Sequence, residues 1–381
     1  MIIEIKGVQF VNKGSELMLY SIIDKVRSRY PSCRLCLQTH PVKAPYEKYS
    51  GIGLYPKASY WYKRIQWMNA VGLVPKKIRN MYGIIVDREI DVVLDASGFS
   101  YTDQFGVSSS VIMAKSCRKW KKQGTKVILL PQAFGPFTSG KIRRAVRTVA
   151  ENSTLVFARD PVSYNHLTMV TGEMPHISIA PDFTNLLPGS PPEHYPLQDT
   201  NVCIVPNHRM LNKTSPDVGQ AYISFLKNCI QYLIDSGKYP FFLIHEGEQD
   251  MRLAREIVRD LNIDIPVIQE TNPLMIKGIL GSCEATIGSR FHGLVSALSQ
   301  GIPSLATGWS HKYEMLFQSY GFNEGVVDIL SDRGEIRNKL NLIVDDTSRQ
   351  KSAQTLREHA LLEKEKSSAM WKMVFDAIDR T

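Results

Sequence analysis

Apolar residues along this chain recur with two periods. From Met1 to Val8 they form a short run that reads as a strand, and from Glu16 to Tyr30 they fall at helical spacing, with Leu19, Ile22, Ile23, Val26 and Tyr30 on one side. Gln9 to Ser15 reads as the loop between them, with Ser15 as helix cap. Arg34 to Gln38 reads as a second strand. Continuous apolar strands are expected at Asp91 to Asp95, Lys126 to Leu130 and Leu155 to Phe157. Between Pro45 and Met81 regular alternation fails. The second half restarts with a strand at Asn201 to Pro206. It continues as helix 218–235, strand Phe241 to His245, helix 250–261, strand 266–268, helix 273–281 and a strand ending at Ile287. Strand alternating with helix predicts parallel sheets covered on both faces. Ser348 to Arg380 carries one long amphipathic pattern with Leu356, Leu361, Met370, Val374 and Ile378.

A proline-rich stretch, Leu187-Pro188-Gly189-Ser190-Pro191-Pro192 through Pro196, can continue neither sheet. The expected organisation is therefore an N-terminal α/β domain at 1–186, a linker at 187–199, a second α/β domain at 200–347 and a closing helix at 348–381. The fold class is α/β, with two doubly wound, Rossmann-like domains.

A chain of 381 residues with 43% apolar content fits two folded domains of ordinary size. Glu4 and Lys6 interrupt the apolar run that a signal peptide needs, and no stretch approaches the roughly 20 apolar residues of a spanning helix. A cytoplasmic protein is expected. The formal charge of +9 favours anionic partners. Nucleic acid is not expected among them, because no zinc-finger spacing, RNP-type strand or basic heptad is present. Cys33 and Cys36 would point to opposite faces of a strand, and no second pair completes a metal knuckle. Reduced, mostly buried thiols are expected.

Candidate chemistry concentrates between Glu284 and Gly321. Ala285-Thr286-Ile287 reads as a strand end, Gly288-Ser289 as a turn, and Arg290 onward as a helix with Leu294, Val295 and Leu298 on its apolar side. Arg290 and His292 then fall in the first helical turn, where unpaired N–H groups and the helix dipole favour an anion. Gly301 to Ala306 reads as the next strand, and Gly308-Trp309-Ser310-His311-Lys312 as its exit loop. Lys312 is expected beside the same cleft. Taken singly, Arg290 reads as a helix-start surface arginine and His292 as a satisfied interdomain histidine; together with Lys312 they do not.

The run Gly288-Ser289-Arg290-Phe291-His292-Gly293-Leu294, followed by Gly301-Ile302-Pro303-Ser304 and Lys312, resembles the polysaccharide pyruvyl transferase family. Further elements are similar: Gln132-Ala133-Phe134-Gly135-Pro136, Ala158-Arg159-Asp160-Pro161-Val162-Ser163, Ala180-Pro181-Asp182-Phe183, the turn at Gly98, and His245-Glu246. The loop Phe10 to Glu16 departs from the family pattern, keeping Gly14 but shifting the acid to Glu16. The resemblance implies a GT-B-like architecture and transfer of pyruvate from phosphoenolpyruvate to a sugar of a cell-surface or lipid-linked glycan. It implies Asn12, Gly14 and Glu16 facing the acceptor and Arg159 toward the donor. Arg290 and Arg209 suit the donor anion by their planar fork, and Lys312 by its point charge. His292 suits proton donation, since an imidazole ordinarily titrates at about 6.5. The chemistry needs no metal and no cofactor beyond phosphoenolpyruvate as co-substrate.

Two other readings stay open: a nucleotide-sugar glycosyltransferase of the same architecture, with Glu314 meeting a ribose, and a catalytically silent glycan-binding module. Between Tyr60 and Arg79, Tyr60, Trp61 and Trp67 interleave with Lys76, Lys77 and Arg79. That stretch reads either as an insertion packed on the first domain or as peripheral contact with the inner face of a membrane. The arginines at 143, 144 and 147 read as a solvated helix face.

Overall fold

The short apolar runs form two parallel sheets. The computed structural model describes residues 1–58, 61–62, 65–66, 71–193, 201–308 and 311–380. The chain falls into two compact units. One comprises Met1–Val11, Met18–Phe183 and Lys366–Thr381, the other Asn12–Leu17 and Thr184–Glu365.

In the first unit the chain runs through β1 (Ile2–Lys6), α1 (Lys13–Arg29), β2 (Arg34–Gln38), α2 (Tyr46–Ser50) and β3 (Tyr55–Lys57). The two-residue strands β4 (Trp61–Tyr62) and β5 (Ile65–Gln66) pair antiparallel. Then come α3 (Lys76–Met81), β6 (Val92–Asp95), α4 (Val107–Gln123), β7 (Lys126–Gln132), α5 (Gly140–Glu151), β8 (Leu155–Ala158), α6 (Pro161–Thr171) and β9 (Ile177–Ile179). Seven strands form one parallel sheet in the order β3-β2-β1-β6-β7-β8-β9. Its central strands are buried on both faces, as helices on either side require.

Several local expectations change here. Helix α1 starts at Lys13, ahead of the predicted Glu16, because the Asn12 carboxamide oxygen accepts the Ser15 N–H at 3.0 Å. Asn12 takes the capping role expected of Ser15. The irregular stretch after Pro45 contains α2, β3 and α3, each too short to leave a periodic signal. Arg79, read as a surface cation, is buried, and its guanidinium donates to both Glu89 oxygens at 2.6 and 2.9 Å. Lys76 and Lys77 open α3 and are exposed. Tyr60, Trp67 and the side chain of Trp61 lie outside the described residues, as do linker positions 194–199. Glu4, which interrupts the first apolar run, is buried and paired with Lys57, whose ammonium also meets Asp87 at 2.9 Å. All six cysteines are free, and five are buried.

The second unit continues with β10 (Val202–Val205), α7 (Arg209–Asn212), α8 (Pro216–Asp235), β11 (Pro240–Ile244), α9 (Gly247–Leu261), β12 (Val267–Gln269), α10 (Pro273–Gly281), β13 (Ala285–Gly288), α11 (Phe291–Leu298), β14 (Ser304–Ala306), α12 (Lys312–Ser319), α13 (Arg333–Val344) and α14 (Asp346–Asp379). Its five strands are parallel in the order β12-β11-β10-β13-β14. Tyr222, Phe225, Leu226 and Ile230 of α8 fill the core over β10 and β11 with Phe242 and Ile244. Helix α14 is continuous; through Glu365 it belongs to the second unit and from Lys366 to the first. Among the described residues no helix is long and apolar enough to cross a membrane.

Candidate active site

Because the strands of the second sheet are parallel, the loops after β10, β11 and β13 leave from one edge, and the chain direction reverses its winding between β10 and β13. That crevice is the ordinary ligand position of an open α/β sheet. The loops there carry Asn207 to Arg209, His245 with Glu246, and Ser289 with Arg290.

Arg290, expected inside the first helical turn, is the residue before α11 and has extended backbone at φ −113°, ψ 116°. The loop ahead of it is tightly held. Asn207 donates its amide to the Ser289 carbonyl at 2.7 Å, the Tyr313 hydroxyl donates to the same oxygen at 3.0 Å, and the Tyr222 hydroxyl meets Ser289 Oγ at 2.9 Å. This bonding aims Arg290 across the crevice toward α9. There one guanidinium nitrogen donates to Glu246, and the other donates to Asp250 at 2.5 Å. Arg290 is only 8% exposed. Burial raises the Asp250 carboxyl toward about 7 and lowers the guanidinium toward about 10. The contact between them opposes both shifts. Arg290 is thus tied to two carboxylates, where the sequence reading had it open to a donor anion.

Glu246 is the hub of the site. Besides Arg290 it accepts from the Asn12 carboxamide at 3.1 Å and from Arg209 at 3.4 Å. Glu246 and Asp250 read in sequence as helix-starting acids. Glu246 is the residue before α9 and Asp250 lies in its first turn, and this closeness at one helix start was the signal for a shared cation. The Arg209 side chain remains 47% exposed and keeps most of its donors for solvent or ligand.

His292, the second residue of α11, packs against the first turn of α1. A Cβ added at Gly14 would fall 2.6 Å from the His292 Cγ and closer still to Nδ1. Glycine is what permits this approach. Glu16, expected to face an acceptor, is paired with Lys13 at 2.6 Å. His245 is buried, and its Nδ1 has no partner among the described residues. Burial, reinforced by the positive charges of Arg290, His292 and Lys13, pushes its imidazole down to about 3. It is neutral at physiological pH and cannot supply a proton there.

Lys312, expected in an exit loop, is the first residue of α12. Its ammonium lies over the rings of Phe291 and Tyr313 at 5.7 and 5.2 Å. Trp309 and Ser310 of the same loop lie outside the described residues. The second unit therefore gathers Asn12, Gly14, Glu16, Arg209, Arg290, His292 and Lys312. Arg159 belongs to the first unit, where its guanidinium sits 3.5 Å from the Asp182 carboxylate.

The sequence pattern that defines the polysaccharide pyruvyl transferases matches residues 12–311. The chain belongs to that family. The matched span takes in the Asn12 to Glu16 turn, Arg159, Arg209, Arg290 and His292, and Lys312 stands one residue beyond it.

Solved structures resemble this family member over nearly their whole length. A putative UDP-N-acetylglucosamine 2-epimerase from Listeria monocytogenes has a TM-score of 0.64 at 11% identity, with 100% of this chain and 97% of that one covered. UDP-GlcNAc 2-epimerase from Neisseria meningitidis, bound to UDP-GlcNAc, has a TM-score of 0.61 at 10% identity over 98% and 99%. Anabaena Alr3699/HepE in complex with UDP-glucose has a TM-score of 0.59 at 13% identity over 99% and 98%. At such identities the likeness shows the fold, and that fold is GT-B.

Proposed function

We propose that this pyruvyl transferase family member moves pyruvate from phosphoenolpyruvate onto a sugar of a cell-surface or lipid-linked glycan, closing a ketal and releasing phosphate. The observation that carries this reading is the packing of His292 against Gly14, which fixes an imidazole at the start of α11, two residues after Arg290. Family membership supplies the class of reaction.

In this reading His292 protonates the methylene carbon of phosphoenolpyruvate, which makes C2 electrophilic. One sugar hydroxyl adds to C2 and gives up its proton. The C2–O bond to phosphate then breaks, and a second hydroxyl of the same sugar closes the ring. Of the two hydroxyl protons, one replaces that given by His292 and one leaves with the phosphate. Arg209 and Lys312 meet the donor's phosphate and carboxylate. Arg290 serves them from behind by holding Glu246, and Arg159 is assigned to the donor from the family motif. Asn12, held by Glu246, and Gly14, packed on His292, set the acceptor edge. Contact of the Tyr60 to Lys77 stretch with an anionic membrane face belongs to this reading as well, and salt-sensitive co-sedimentation with anionic vesicles tests it.

The solved GT-B proteins include ones bound to UDP-sugars, so a nucleotide-sugar donor is the rival, with Glu314 exposed in the first turn of α12 as its ribose partner. Incubation with phosphoenolpyruvate and candidate lipid-linked glycans should release phosphate with a matching gain in acceptor mass. Calorimetric binding of a UDP-sugar in preference to phosphoenolpyruvate would sink the pyruvyl reading.

A further inference from the structure

The arginines of α5, read in sequence as a solvated face, line a groove. Arg143, Arg144 and Arg147 lie within one turn of each other on one side of α5, opposite His166 and Met169 of α6, and with Phe137 they border a groove of about 650 Å³. All of these residues belong to the first unit. Among the described residues no carboxylate lines the groove.

Two of the guanidiniums are anchored from behind. Arg143 donates its Nε to the Phe137 carbonyl at 2.7 Å, and Arg147 donates Nε and one Nη to the Val170 carbonyl at 2.9 and 2.7 Å. Both Nη groups of Arg143, the remaining Nη of Arg147 and all of Arg144 have no hydrogen-bond partner among the described residues. Asp103, whose charge interacts with that of Arg143, is occupied by the N–H groups of Thr138 and Ser139. Three like charges on adjacent turns repel one another, and backbone anchoring keeps two of them there. Such a set is satisfied by an anion with several acceptor oxygens, for which the guanidinium fork is suited.

The opposite lip is apolar. Met169 is 81% exposed and Pro136 is exposed as well, while Phe137 is buried. A site for inorganic phosphate alone needs no such lip, whereas a long apolar chain attached to phosphate would cover it. The volume lies in the range of pockets that hold whole small molecules.

We infer that the groove between α5 and α6 binds an amphiphilic phosphate ester of the prenyl diphosphate class, its phosphates on Arg143, Arg144 and Arg147 and its hydrocarbon along Met169. As the berth for the carrier of a lipid-linked acceptor, the groove rests on the transfer reading above. As a binding site it stands apart from it, because binding is measured without phosphoenolpyruvate and without turnover.

The test is equilibrium titration of the full chain with farnesyl diphosphate and with inorganic diphosphate. Farnesyl diphosphate should bind saturably and at least about tenfold more tightly than inorganic diphosphate. Arg144→Ala removes an exposed side chain that has no hydrogen bond or ion pair among the described residues, and it should weaken both ligands roughly tenfold. Arg144→Lys should fall between, and Met169→Ser should weaken only the farnesyl ester. Absence of saturable farnesyl diphosphate binding overturns the proposal, as does equal affinity for the two ligands or an Arg144→Ala chain that binds as the wild type does. Loss of pyruvyl transfer with these affinities intact would remove the transfer reading and leave the groove's ligand in place.

Discussion

Gly14 and His292 touch so closely that a single methyl group between them would overlap the imidazole. The contact joins a glycine at the start of α1 to the candidate acid at the start of α11. It makes the turn that follows β1 a determinant of where the imidazole sits.

Gly14→Ala should therefore separate activity from stability. Alanine is favoured over glycine within a helix by about 1 kcal/mol, which offsets part of the overlap. Turnover, read as phosphate release from phosphoenolpyruvate, should fall at least about tenfold, because small misplacements of a catalytic group are costly. A variant with wild-type turnover would show that the ring has room to move.

His292→Asn keeps a polar side chain of similar reach and removes the transferable proton. A positioned acid contributes ~10²–10⁴-fold, so turnover should drop by that order while the thermal midpoint and phosphoenolpyruvate affinity change little. Retained turnover would make His292 a packing residue, with His311 the next candidate, since His245 is held neutral.

Arg290→Met would leave Glu246 and Asp250 facing one another without their shared cation. Breaking a buried ion pair from one side costs about 3–5 kcal/mol, and urea denaturation should show a loss of that order. Arg290→Lys keeps the charge but cannot span both carboxylates, so its loss should be smaller. Unchanged stability in the methionine variant would mean that the two acids are already protonated.

His245 predicts a pH dependence. Its imidazole is pushed down to about 3 in the folded chain, against about 6.5 unfolded. Between those values the unfolded chain binds the extra proton, so this residue's contribution to stability is lost as pH falls from 6.5 and is fully present above it. The slope from this one group approaches ~1.4 kcal/mol per pH unit. Chemical denaturation at pH 7, 6 and 5 should show the loss in the wild type and a weaker one in His245→Gln. Parallel curves for the two chains would exclude His245 as the source.

Much of the architecture was legible along the chain. Short apolar runs separated by amphipathic stretches leave parallel, doubly covered sheets as the fitting arrangement, and α10, β2 and the long C-terminal helix fall at or near the expected positions. Arg290, His292 and Lys312 also stand out along the chain, because polar residues beside strand ends serve packing poorly. The segments β3, α2 and α3 were not, since three to six residues hold too little periodicity to separate from a loop.

What lay beyond the sequence was the pairing of charges. Arg290 in isolation is an open guanidinium, and only folding shows Glu246 and Asp250 on the facing helix taking up both of its ends. Glu4 likewise reads only as a break in an apolar run, and Arg79 as one cation of a basic stretch, until Lys57 and Glu89 are found beside them inside the first unit. The reason is physical. Hydrophobic periodicity is written by neighbours along the chain, within a few residues, whereas these ion pairs join groups 10 to 53 residues apart, brought together after the backbone has folded. Periodicity thus specified the two sheets, and the tertiary structure decided which charges are spent on each other and which remain for a ligand.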